Sequence, residues 1–468
     1  MFKQQVGVIG MAIMGKNLAL NIESKGYTVS IFNRTPKSTN EVILNNPNKN
    51  IKPYYTLKNF VKSIIKPRRI FIMVKSGKAT IEVINYLIKF ISKKDIIIDC
   101  GNTYYKNSIK MNNKLNSMGF YYIGAGISGG EEGALKGPAI MPGGNLTAYK
   151  LILPIFKKIA ASYKNEPCVN YIGKNGSGHY VKMIHNGIEY SDMQLISETY
   201  FILKKGLNLN NKQISKIFEN WNKGELNSYL IEITKNILIK KDKNKKYLID
   251  VISDEANNKG TGKWMCEEAL NLKEPLNLIM QSVFMRYISN MKKQRLKASK
   301  ILKCSENKYK IKNKINFIKK IKQSLYFSKI ISYAQGFSQL TKASKKNKWN
   351  LNYSNIAKIF RSGCIIKAKL LQNITNSYIK NPNIKNILLT KYFSNIINNY
   401  QNSLRDVIIF SIRLGIPIPV FNASISYYDS YRCANLSTNL IQAQRDYFGA
   451  HTYKRIDKNG IYHTKWLK

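Results

Sequence analysis

The hydrophobic and polar positions of the chain follow two different periods. In the first part, short β-branched runs alternate with helix-length amphipathic stretches, which is typical of parallel strands joined by crossover helices. This pattern predicts strands over residues 5–9, 28–32, 70–74, 96–99, 120–124 and 169–172. It predicts helices over residues 15–24 and 78–91, with Gly26 as the C-terminal cap of the first. We therefore expect an α/β, Rossmann-like, doubly wound domain at the N-terminus.

From about residue 178 the strand pattern fades. Long helical periods follow, separated by polar or Gly/Pro connections such as Gly206 and Asn381-Pro382. After about Cys433 the sequence is irregular and keeps several aromatic residues, which is typical of a tail anchored on another surface. The predicted domains are residues 1–177 for the α/β part, 178–433 for a large all-α part, and 434–468 for a C-terminal tail.

Composition changes this picture mainly through charge. Among 468 residues, 76 Lys and Arg face 26 Asp and Glu, a formal charge of +50 at pH 7. That excess keeps open a non-catalytic, basic nucleic-acid-binding protein, although Lys runs such as residues 240–246 are also typical of solvated loops. No apolar run reaches the roughly 18 residues of a membrane span, and a strand pattern begins where a secretory signal would lie.

The cysteines indicate the compartment. The six are Cys100, Cys168, Cys266, Cys304, Cys364 and Cys433. None forms a C-x-x-C pair, which argues against a disulfide framework and against a zinc ribbon. We predict reduced thiols and a cytoplasmic location.

A dinucleotide fingerprint follows the first predicted strand. The segment Gly10-Met11-Ala12-Ile13-Met14-Gly15 has the form G-x-A-x-x-G. Its first Gly permits a tight turn, Ala12 keeps the backbone close to a pyrophosphate, and Gly15 lets helix and strand pack closely. The helix N-terminus supplies N–H groups and a positive dipole end that favour phosphate. The N-terminal domain is therefore predicted to bind a dinucleotide.

The end of the second predicted strand indicates which dinucleotide. Enzymes that use NAD usually place an acid there for the ribose 2′-hydroxyl, but this chain has Asn33-Arg34-Thr35. An Arg with neutral neighbours suits a 2′-phosphate, which an acid would repel. The sequence predicts NADP.

Segment 179–190 carries a dense group of reactive side chains. Read as a helix, it places five polar residues on one face, namely Lys182, His185, Asn186, Glu189 and Tyr190. That face could simply meet water, or it could line a cleft between domains, where substrate sites are common. Gly187 favours the cleft, because Gly costs about 1 kcal/mol relative to Ala in an exposed helix. His185 and Glu189 could share a metal ion at i, i+4, but no third ligand is evident, so we expect no metal.

Several long strings together resemble the 6-phosphogluconate dehydrogenase family, over nearly the whole chain. They are GISGGEEGA at 126–134, GPAIMPGG at 137–144, KGTGKW at 259–264, YAQGF at 333–337 and QRDYFGAHT at 444–452. The resemblance implies oxidative decarboxylation of 6-phosphogluconate by NADP, to ribulose 5-phosphate, carbon dioxide and NADPH. It implies that Lys182 is the general base and that Glu189 is the general acid.

The resemblance also implies the binding residues and the assembly. Phosphate contacts correspond to Tyr190, Lys259, Arg286 and Arg445, the last from a partner subunit, with His451 of the same tail a further substrate contact. The positions that hold the sugar's hydroxyls and carboxylate are Asn102, Ser128, Gly129, Gly130, His185 and Asn186. Val74-Lys75-Ser76 matches a loop along the dinucleotide, beside Asn102. A homodimer is implied, with each tail completing the other subunit's site, and without a specific nucleic-acid or membrane partner.

Two alternatives remain open at this point. One is another NAD(P)-dependent β-hydroxyacid dehydrogenase acting on a small unphosphorylated acid. Lys259, Arg286 and Arg445 speak against it, because such a substrate needs no phosphate cradle. The other is the nucleic-acid-binding protein, for which the charge is the only support and no recognisable binding module accompanies it.

Overall fold

The computed structural model describes residues 3–303 and 311–467, and its N-terminal part is built on one seven-stranded sheet. The strands are β1 (Val6–Ile9), β2 (Val29–Phe32), β3 (Ile51–Tyr54), β4 (Arg69–Ile72), β5 (Ile96–Asp99), β6 (Tyr121–Ile127) and β7 (Ile140–Gly144). Their order is β3-β2-β1-β4-β5-β6-β7, and all pairs are parallel except β6 with β7. The predicted doubly wound arrangement is confirmed, with one antiparallel strand added at its edge.

Helices connect these strands and cover both faces of the sheet. They are α1 (Ile13–Ser24), α2 (Pro36–Leu44), α3 (Leu57–Lys62), α4 (Lys78–Leu87), α5 (Tyr105–Ser117), α6 (Gly130–Lys136) and α7 (Leu146–Ile159). A two-stranded ribbon, β8 (Ser162–Tyr163) with β9 (Glu166–Pro167), follows α7. Strands such as β5 are fully buried, since a parallel sheet covered on both faces has no solvent side. Separate apolar cores fill the two faces.

The strand predicted over residues 169–172 is wrong. That segment makes only isolated bridges to β7, at Val169 and Gly173. On this side of β7, the N–H groups of Ile140 and Gly144 donate to the carbonyls of Cys168 and Gly173. The residue midway between these two donors is Pro142, which has no N–H group. The ladder therefore lacks its middle donor, and no continuous strand forms.

Two strands of the seven-stranded sheet, the short ribbon β8–β9 and a few boundaries were not anticipated. The sequence of β3 is IKPY, with a lysine and a proline, and that of β7 is IMPGG. Neither shows the alternating or β-branched pattern that predicts a strand. The first helix begins at Ile13 and not at residue 15, and Gly26 follows it at φ +87°, as a C-terminal cap should. The helix predicted to residue 91 ends at Leu87.

The second part of the chain is helical. Its elements are α8 (Ser177–Phe201), continued by a π-helical turn at Ile202–Gly206, α9 (Asn211–Asn222), α10 (Tyr229–Ile239), α11 (Thr261–Leu272), α12 (Asn277–Ser289), α13 (Lys292–Ile301), α14 (Lys314–Asn347), α15 (Tyr353–Ile359), α16 (Leu370–Lys380), α17 (Lys391–Arg413) and α18 (Pro419–Arg432), with 3₁₀ turns at Leu248–Asp250 and Ile387–Leu389. α8 and α14 are mostly buried and form its centre.

α8 also packs directly on the sheet. A Cβ on Gly178 would lie 2.3 Å from the carbonyl oxygens of Gly124 in β6 and Met141 in β7. A Cβ on Gly126 would lie 2.5 Å from the Cβ of Lys182. Glycines on both sides thus bring this helix into backbone contact with two strands. The division at residues 177 and 178, in the first turn of α8, stays a prediction.

The C-terminal segment differs from its predicted irregular form, because it contains α19 (Thr438–Gly449). Asp446 organises the residues after this helix: its buried carboxylate accepts hydrogen bonds from the Thr452 and Thr464 N–H groups, from the His463 ring and from the Trp466 indole. These bonds oppose desolvation and hold the pKa of Asp446 at about 2. The tail is therefore a folded unit.

Across the described ranges, no helix is both long and apolar enough to cross a membrane. Five cysteines are free thiols, and Cys304 lies outside the described residues.

Candidate active site

The fingerprint loop has the geometry that its glycines predict. Gly10 follows β1 at φ +98°, and a Cβ there would lie 2.3 Å from the Met73 carbonyl oxygen. A Cβ on Gly15 would lie 1.8 Å from the Gly10 carbonyl oxygen, so the turn closes only with glycine at both positions. No side chain caps the N-terminus of α1, where Ala12 is the N-cap residue. The first N–H groups of α1 therefore lack a side-chain cap and suit a phosphate.

The three residues after β2 divide their roles. The Asn33 side chain accepts from the Met11 N–H at 3.1 Å and donates to the Thr35 carbonyl at 3.1 Å. Its amide therefore fixes the fingerprint loop and the turn after β2. Arg34 and Thr35 are exposed beside them. Of the three, Arg34 is the cation available to an anionic group of a ligand.

Two further loops reach the same edge of the sheet. Val74, Lys75 and Ser76 follow β4, and Thr80 ties the loop by donating its hydroxyl to the Lys75 carbonyl at 3.1 Å. The exposed Asn102 follows β5. Because β1, β4 and β5 are parallel neighbours, their carboxyl ends meet at one crevice, where α/β proteins bind ligands.

Asp99 shapes the turn that carries Asn102, a role that sequence reasoning missed. Its carboxylate accepts from the Gly101 N–H at 3.0 Å, from the Thr103 hydroxyl at 2.8 Å and from the Tyr122 hydroxyl at 3.1 Å. The only available signal was a lone acid at the end of an apolar strand.

The polar face of α8 is buried, so the interpretation as a water-facing stripe is wrong. His185 is 0% exposed, Lys182 7% and Tyr190 8%, while Asn186 and Glu189 are partly exposed. Gly187 has a packing reason: a Cβ there would lie 1.9 Å from the Met265 sulfur of α11. Titratable groups in a dry interior are a common feature of catalytic sites.

His185 lies at the centre of a hydrogen-bond chain. Its Nε2 is 3.2 Å from the Ser128 hydroxyl, and its Nδ1 is 3.0 Å from the Asn186 side-chain oxygen and 3.7 Å from a Glu189 carboxyl oxygen. Burial, helped by the nearby Lys182, lowers the pKa of His185 well below its usual value. The ring is therefore neutral, with Nδ1–H donating to Asn186 and Nε2 accepting from Ser128.

Lys182 and Glu189 are both displaced toward their uncharged forms. Burial lowers the pKa of Lys182, although Glu189 and Cys364 oppose it. Burial raises the pKa of Glu189, although Lys182, Arg286 and Lys259 oppose it. Two turns of helix separate the pair, about 10 Å along the axis. α8 thus offers an amine that can accept a proton and a carboxyl that can donate one.

Segment 360–366, between α15 and α16, closes over this face. The Phe360 ring meets the His185 ring edge-on at 5.4 Å, and the Gly363 carbonyl accepts from the Ala139 N–H at 2.7 Å. Cys364 is a neighbour of Lys182, and burial raises the pKa of its thiol to about 12, so it stays neutral. In the sequence, Phe360-Arg361-Ser362-Gly363-Cys364 is evident only as a departure from the family's usual Trp-Arg-Gly-Gly-Cys, and no chemistry is assigned to it.

The predicted phosphate residues of the main body converge beside Tyr190. The Arg286 guanidinium lies 5.3 Å from the Tyr190 ring centroid. A Cβ on Gly262 would lie 2.8 Å from the same ring, so the first turn of α11 abuts it. Lys259 is exposed just before that turn. Two cations and a phenol at one end of the buried face suit a dianion.

The turn after β6 also faces α8. Ser128 is buried against His185, and Gly129 and Gly130 follow with φ of +104° and +63° at the start of α6. A Cβ on Gly129 would lie 2.7 Å from the Gly363 carbonyl oxygen. Glycine is therefore required where this turn meets segment 360–366.

Arg445 and His451 contact other parts of the tail. Arg445 donates to the Gln442 side chain at 3.2 Å, and the His451 ring lies 5.9 Å from that of Phe448. Both are exposed. Within the described ranges, no group of three or more His, Cys, Asp or Glu residues could hold a metal ion.

A glycine-turn nucleotide edge beside buried titratable groups on a helix is typical of nicotinamide-nucleotide-dependent oxidoreductases. Family comparisons specify it further: a model of the NAD binding domain of 6-phosphogluconate dehydrogenase matches residues 5–173, and one of the C-terminal domain of 6-phosphogluconate dehydrogenase matches residues 178–466. The chain belongs to the 6-phosphogluconate dehydrogenase family.

Individual relatives match over the full length. The decarboxylating 6-phosphogluconate dehydrogenases of Buchnera aphidicola subsp. Acyrthosiphon pisum and Escherichia coli K12 are 60% and 59% identical, with all of both chains covered. The solved Plasmodium falciparum 6-phosphogluconate dehydrogenase is 43% identical with a TM-score of 0.96, over 99% of this chain and all of that one. Because the chain belongs to this family, we reject the two alternative functions, a small-acid dehydrogenase and a nucleic-acid-binding protein.

Proposed function

We propose that the protein oxidises and decarboxylates 6-phospho-D-gluconate to D-ribulose 5-phosphate and carbon dioxide while reducing NADP, a reaction of the pentose phosphate pathway. The observation that carries this proposal is the buried face of α8, where burial moves the pKa of Lys182 down and that of Glu189 up. The reaction needs an uncharged base and a protonated acid, which is the pair that this burial favours. The predicted cytoplasmic location belongs to the same proposal.

NADP fits the crevice. The glycine turn at Gly10 and Gly15 leaves room only for backbone, and the uncapped start of α1 suits the pyrophosphate. Arg34 would pair with the 2′-phosphate, while the loop 74–76 and Asn102 would lie along the nucleotide. When bound there, NADP would supply the hydride acceptor for the oxidation of carbon 3 of the sugar acid. The Plasmodium relative has been solved in complex with NADP⁺ and in complex with 6-phosphogluconate.

Lys182 acts in the first step. As a neutral amine it takes the proton of the carbon 3 hydroxyl while that carbon is oxidised to a ketone. Neutral His185 and Asn186 would hold the neighbouring hydroxyls, and Ser128, Gly129 and Gly130 would hold the carboxylate. These groups keep carbon 3 in place. None of them carries a negative charge, which would favour the ammonium form of Lys182.

Glu189 acts after the carbon–carbon bond breaks. The new ketone lies β to the carboxylate and takes up the electron pair as carbon dioxide leaves, while the Lys182 ammonium returns its proton to the ketone oxygen, which gives an enediol. Protonated Glu189 then donates its proton to carbon 1 of the product while Lys182 again takes the proton of the enediol hydroxyl, which yields ribulose 5-phosphate. A carboxyl in its ordinary environment is ionised near neutral pH, so the raised pKa is necessary for this role.

The phosphate would bind among Tyr190, Lys259 and Arg286 at the far end of the face. Arg offers a two-pronged donor and Lys a point charge, which together match a dianion. A small unphosphorylated acid would leave both cations without a partner. The decisive assay follows NADPH absorbance with 6-phosphogluconate, and with 3-hydroxyisobutyrate at equal concentration. We expect turnover of the first substrate only, and a preference for the second would overturn the proposal.

A homodimer would complete this site. The tail is folded around Asp446, yet it presents exposed aromatic residues, including Tyr447 at 54% and Phe448 at 72%. Folded segments seldom leave such groups uncovered unless another surface receives them. We propose that the tail lies against a second copy of the chain. There its Arg445 and His451 would contact the phosphate and the sugar of the substrate bound in the partner subunit's site.

Deletion of residues 434–468 tests this arrangement. We expect the truncated protein to bind NADP while losing turnover by at least about 100-fold, since part of the substrate's positioning is gone. Arg445→Ala in the full chain serves as the matched point variant, and it should raise the KM for 6-phosphogluconate without changing that for NADP. Full turnover by the truncated protein would contradict the shared site.

A further inference from the structure

The YAQGF string at residues 333–337, in the middle of α14, has no part in the chemistry proposed above, yet it contacts elements that carry site residues. Gln335 accepts the Leu278 N–H at 3.2 Å, in the first turn of the helix that carries Arg286. A Cβ on Gly336 would lie 2.6 Å from the Ile188 side chain, beside Glu189. This part of α14 therefore sets the spacing between α8 and α12.

Tyr333 reaches a third element. Its side chain is 0% exposed, and its hydroxyl donates to the Ile366 carbonyl at 3.0 Å. Ile366 ends segment 360–366, which brings a ring against His185 and a thiol beside Lys182. The Tyr333 hydroxyl is thus one direct bond between α14 and the segment that covers the catalytic face.

A buried ion pair lies next to this hydroxyl. Asp192 of α8 and Lys329 of α14 are each 1% exposed, with 2.7 Å between the Lys329 Nζ and an Asp192 carboxyl oxygen. The Tyr333 hydroxyl lies 3.5 Å from that same oxygen. A phenol has one hydrogen to donate, and the ammonium already occupies this oxygen at the shorter distance. The hydrogen is therefore left for the Ile366 carbonyl.

The contribution of the Asp192–Lys329 pair to stability does not explain why it is buried here. Burying two charges costs about as much as their attraction returns, so such a pair is weak support for folding alone. Here it joins α8 to α14 one turn beyond Glu189 and directs a neighbouring hydrogen bond.

We propose that Tyr333 is a positioning residue for the dehydrogenase reaction: its hydroxyl, directed by the Asp192–Lys329 pair, holds segment 360–366 against Lys182 and His185 and keeps water from the Lys182 amine. The groups that face this amine are Glu189 and His185 on its own helix and Cys364 on the segment. The inference rests on the proposed function, because it assigns Lys182 the role of base.

Tyr333→Phe tests the inference, since it removes one oxygen and keeps the ring. Once the segment loosens, water reaches Lys182 and favours its ammonium form, so the ascending limb of the kcat profile should move to higher pH. At pH 7.5 we expect kcat to fall about 10- to 100-fold, with activity recovering as the pH rises, because small displacements of catalytic groups have effects of this size. The KM for NADP should change less than about twofold, because the nucleotide edge is separate.

Thiol labelling gives a second readout that does not depend on activity. Cys364 is a buried residue of the segment itself, so maleimide labelling followed by peptide mass spectrometry should show it protected in the wild type and labelled at least about fivefold faster in Tyr333→Phe. Cys100, buried at the end of β5, is the internal control. Tyr326→Phe, two turns earlier on α14 and equally buried, is the matched variant and should change neither readout.

An unchanged pH limb and unchanged Cys364 protection in Tyr333→Phe would overturn the proposal. Equal effects in Tyr326→Phe would also overturn it, because any buried phenol of α14 would then matter alike. A wild-type protein that makes no NADPH while the labelling contrast persists would instead overturn the proposed function and leave the positioning of the segment supported. The two failures are therefore distinguishable.

Discussion

At the nucleotide edge the proposed binding groups are backbone N–H groups and exposed side chains, whereas on α8 they are buried side chains that titrate. Arg34 meets solvent, and its guanidinium is available to an incoming phosphate. Lys182 is only 7% exposed, and its burial drives the amine toward the neutral form. The surroundings of Arg34 and Lys182 therefore suit these two basic side chains to different roles, anion binding for Arg34 and proton transfer for Lys182. Binding depends on accessible charge, and proton transfer depends on charge withheld by burial.

The largest effect should come from removing the buried base. Lys182→Met keeps the length and apolar stem of the side chain but cannot accept a proton. We expect kcat to fall by about 10⁴-fold, the upper end of what a positioned base contributes. NADP binding, measured by fluorescence titration, should stay unchanged. A variant that keeps a tenth of the activity would mean that another group is the base.

Glu189→Gln should lower kcat by about 10³-fold, because the acid is lost while the shape is kept. It should also shift the pH dependence of the residual activity, because Glu189 raises the pKa of Lys182 whenever its carboxyl is ionised. Without that carboxylate the amine becomes neutral at lower pH, and the ascending limb of the residual activity should move to lower pH. A limb that stays fixed would show that the two groups are not coupled, and a limb that moves upward would show a coupling of the opposite sign. Asn186→Asp is a contrasting variant, because a new carboxylate should move the limb the other way.

Glu198 extends the comparison to the far end of α8, where burial affects stability. Its carboxylate accepts the Val420 and Phe421 N–H groups at 3.0 and 3.1 Å, and burial raises its pKa from 4.5 to about 7. The folded protein therefore holds this proton more tightly than the unfolded chain. The resulting stabilisation is complete below pH 4.5 and is lost as the pH rises toward 7.

The stability difference is measurable against Glu198→Gln, which does not titrate. Over that pH range the wild type should lose about 3 kcal/mol of unfolding free energy relative to the variant, since each pKa unit is worth about 1.4 kcal/mol. Urea denaturation at pH 4.5 and pH 7.5 gives both values. Parallel pH dependence of the two proteins would contradict the assignment.

Local motifs made the nucleotide edge predictable. The glycines at Gly10 and Gly15 and the residues after β2 are close in sequence, and each has a steric or electrostatic reason that can be stated without coordinates. The polar face of α8 was predictable as a face, because helical spacing fixes which side chains share it. Its burial was not predictable from spacing, since it depends on contacts with Met265, β6 and β7.

Contacts between distant segments explain the remaining gaps. β7 reads as a turn because its Pro and Gly residues suit one, and it becomes a strand only through pairing with β6. Segment 360–366 reads as a loop between two helices, and its contact with His185 follows from tertiary packing. The roles assigned to Arg445 and His451 rest on the family resemblance, because in this chain both contact the tail itself.

The smallest effect should come from the exposed cation at the nucleotide edge. Arg34→Ala removes a charged donor for the 2′-phosphate, and one hydrogen bond to a charged group corresponds to about tenfold or somewhat more in affinity. We expect the KM for NADP to rise about tenfold, that for NAD to stay the same, and kcat to change little, because the residue is remote from the reacting carbon. Lys62→Ala, an exposed cation at the end of α3 on the opposite edge of the sheet, is the matched control. Equal losses for NADP and NAD would show that Arg34 reads the shared part of the nucleotide. A large fall in kcat would show that the exposed edge and the buried face do not act separately.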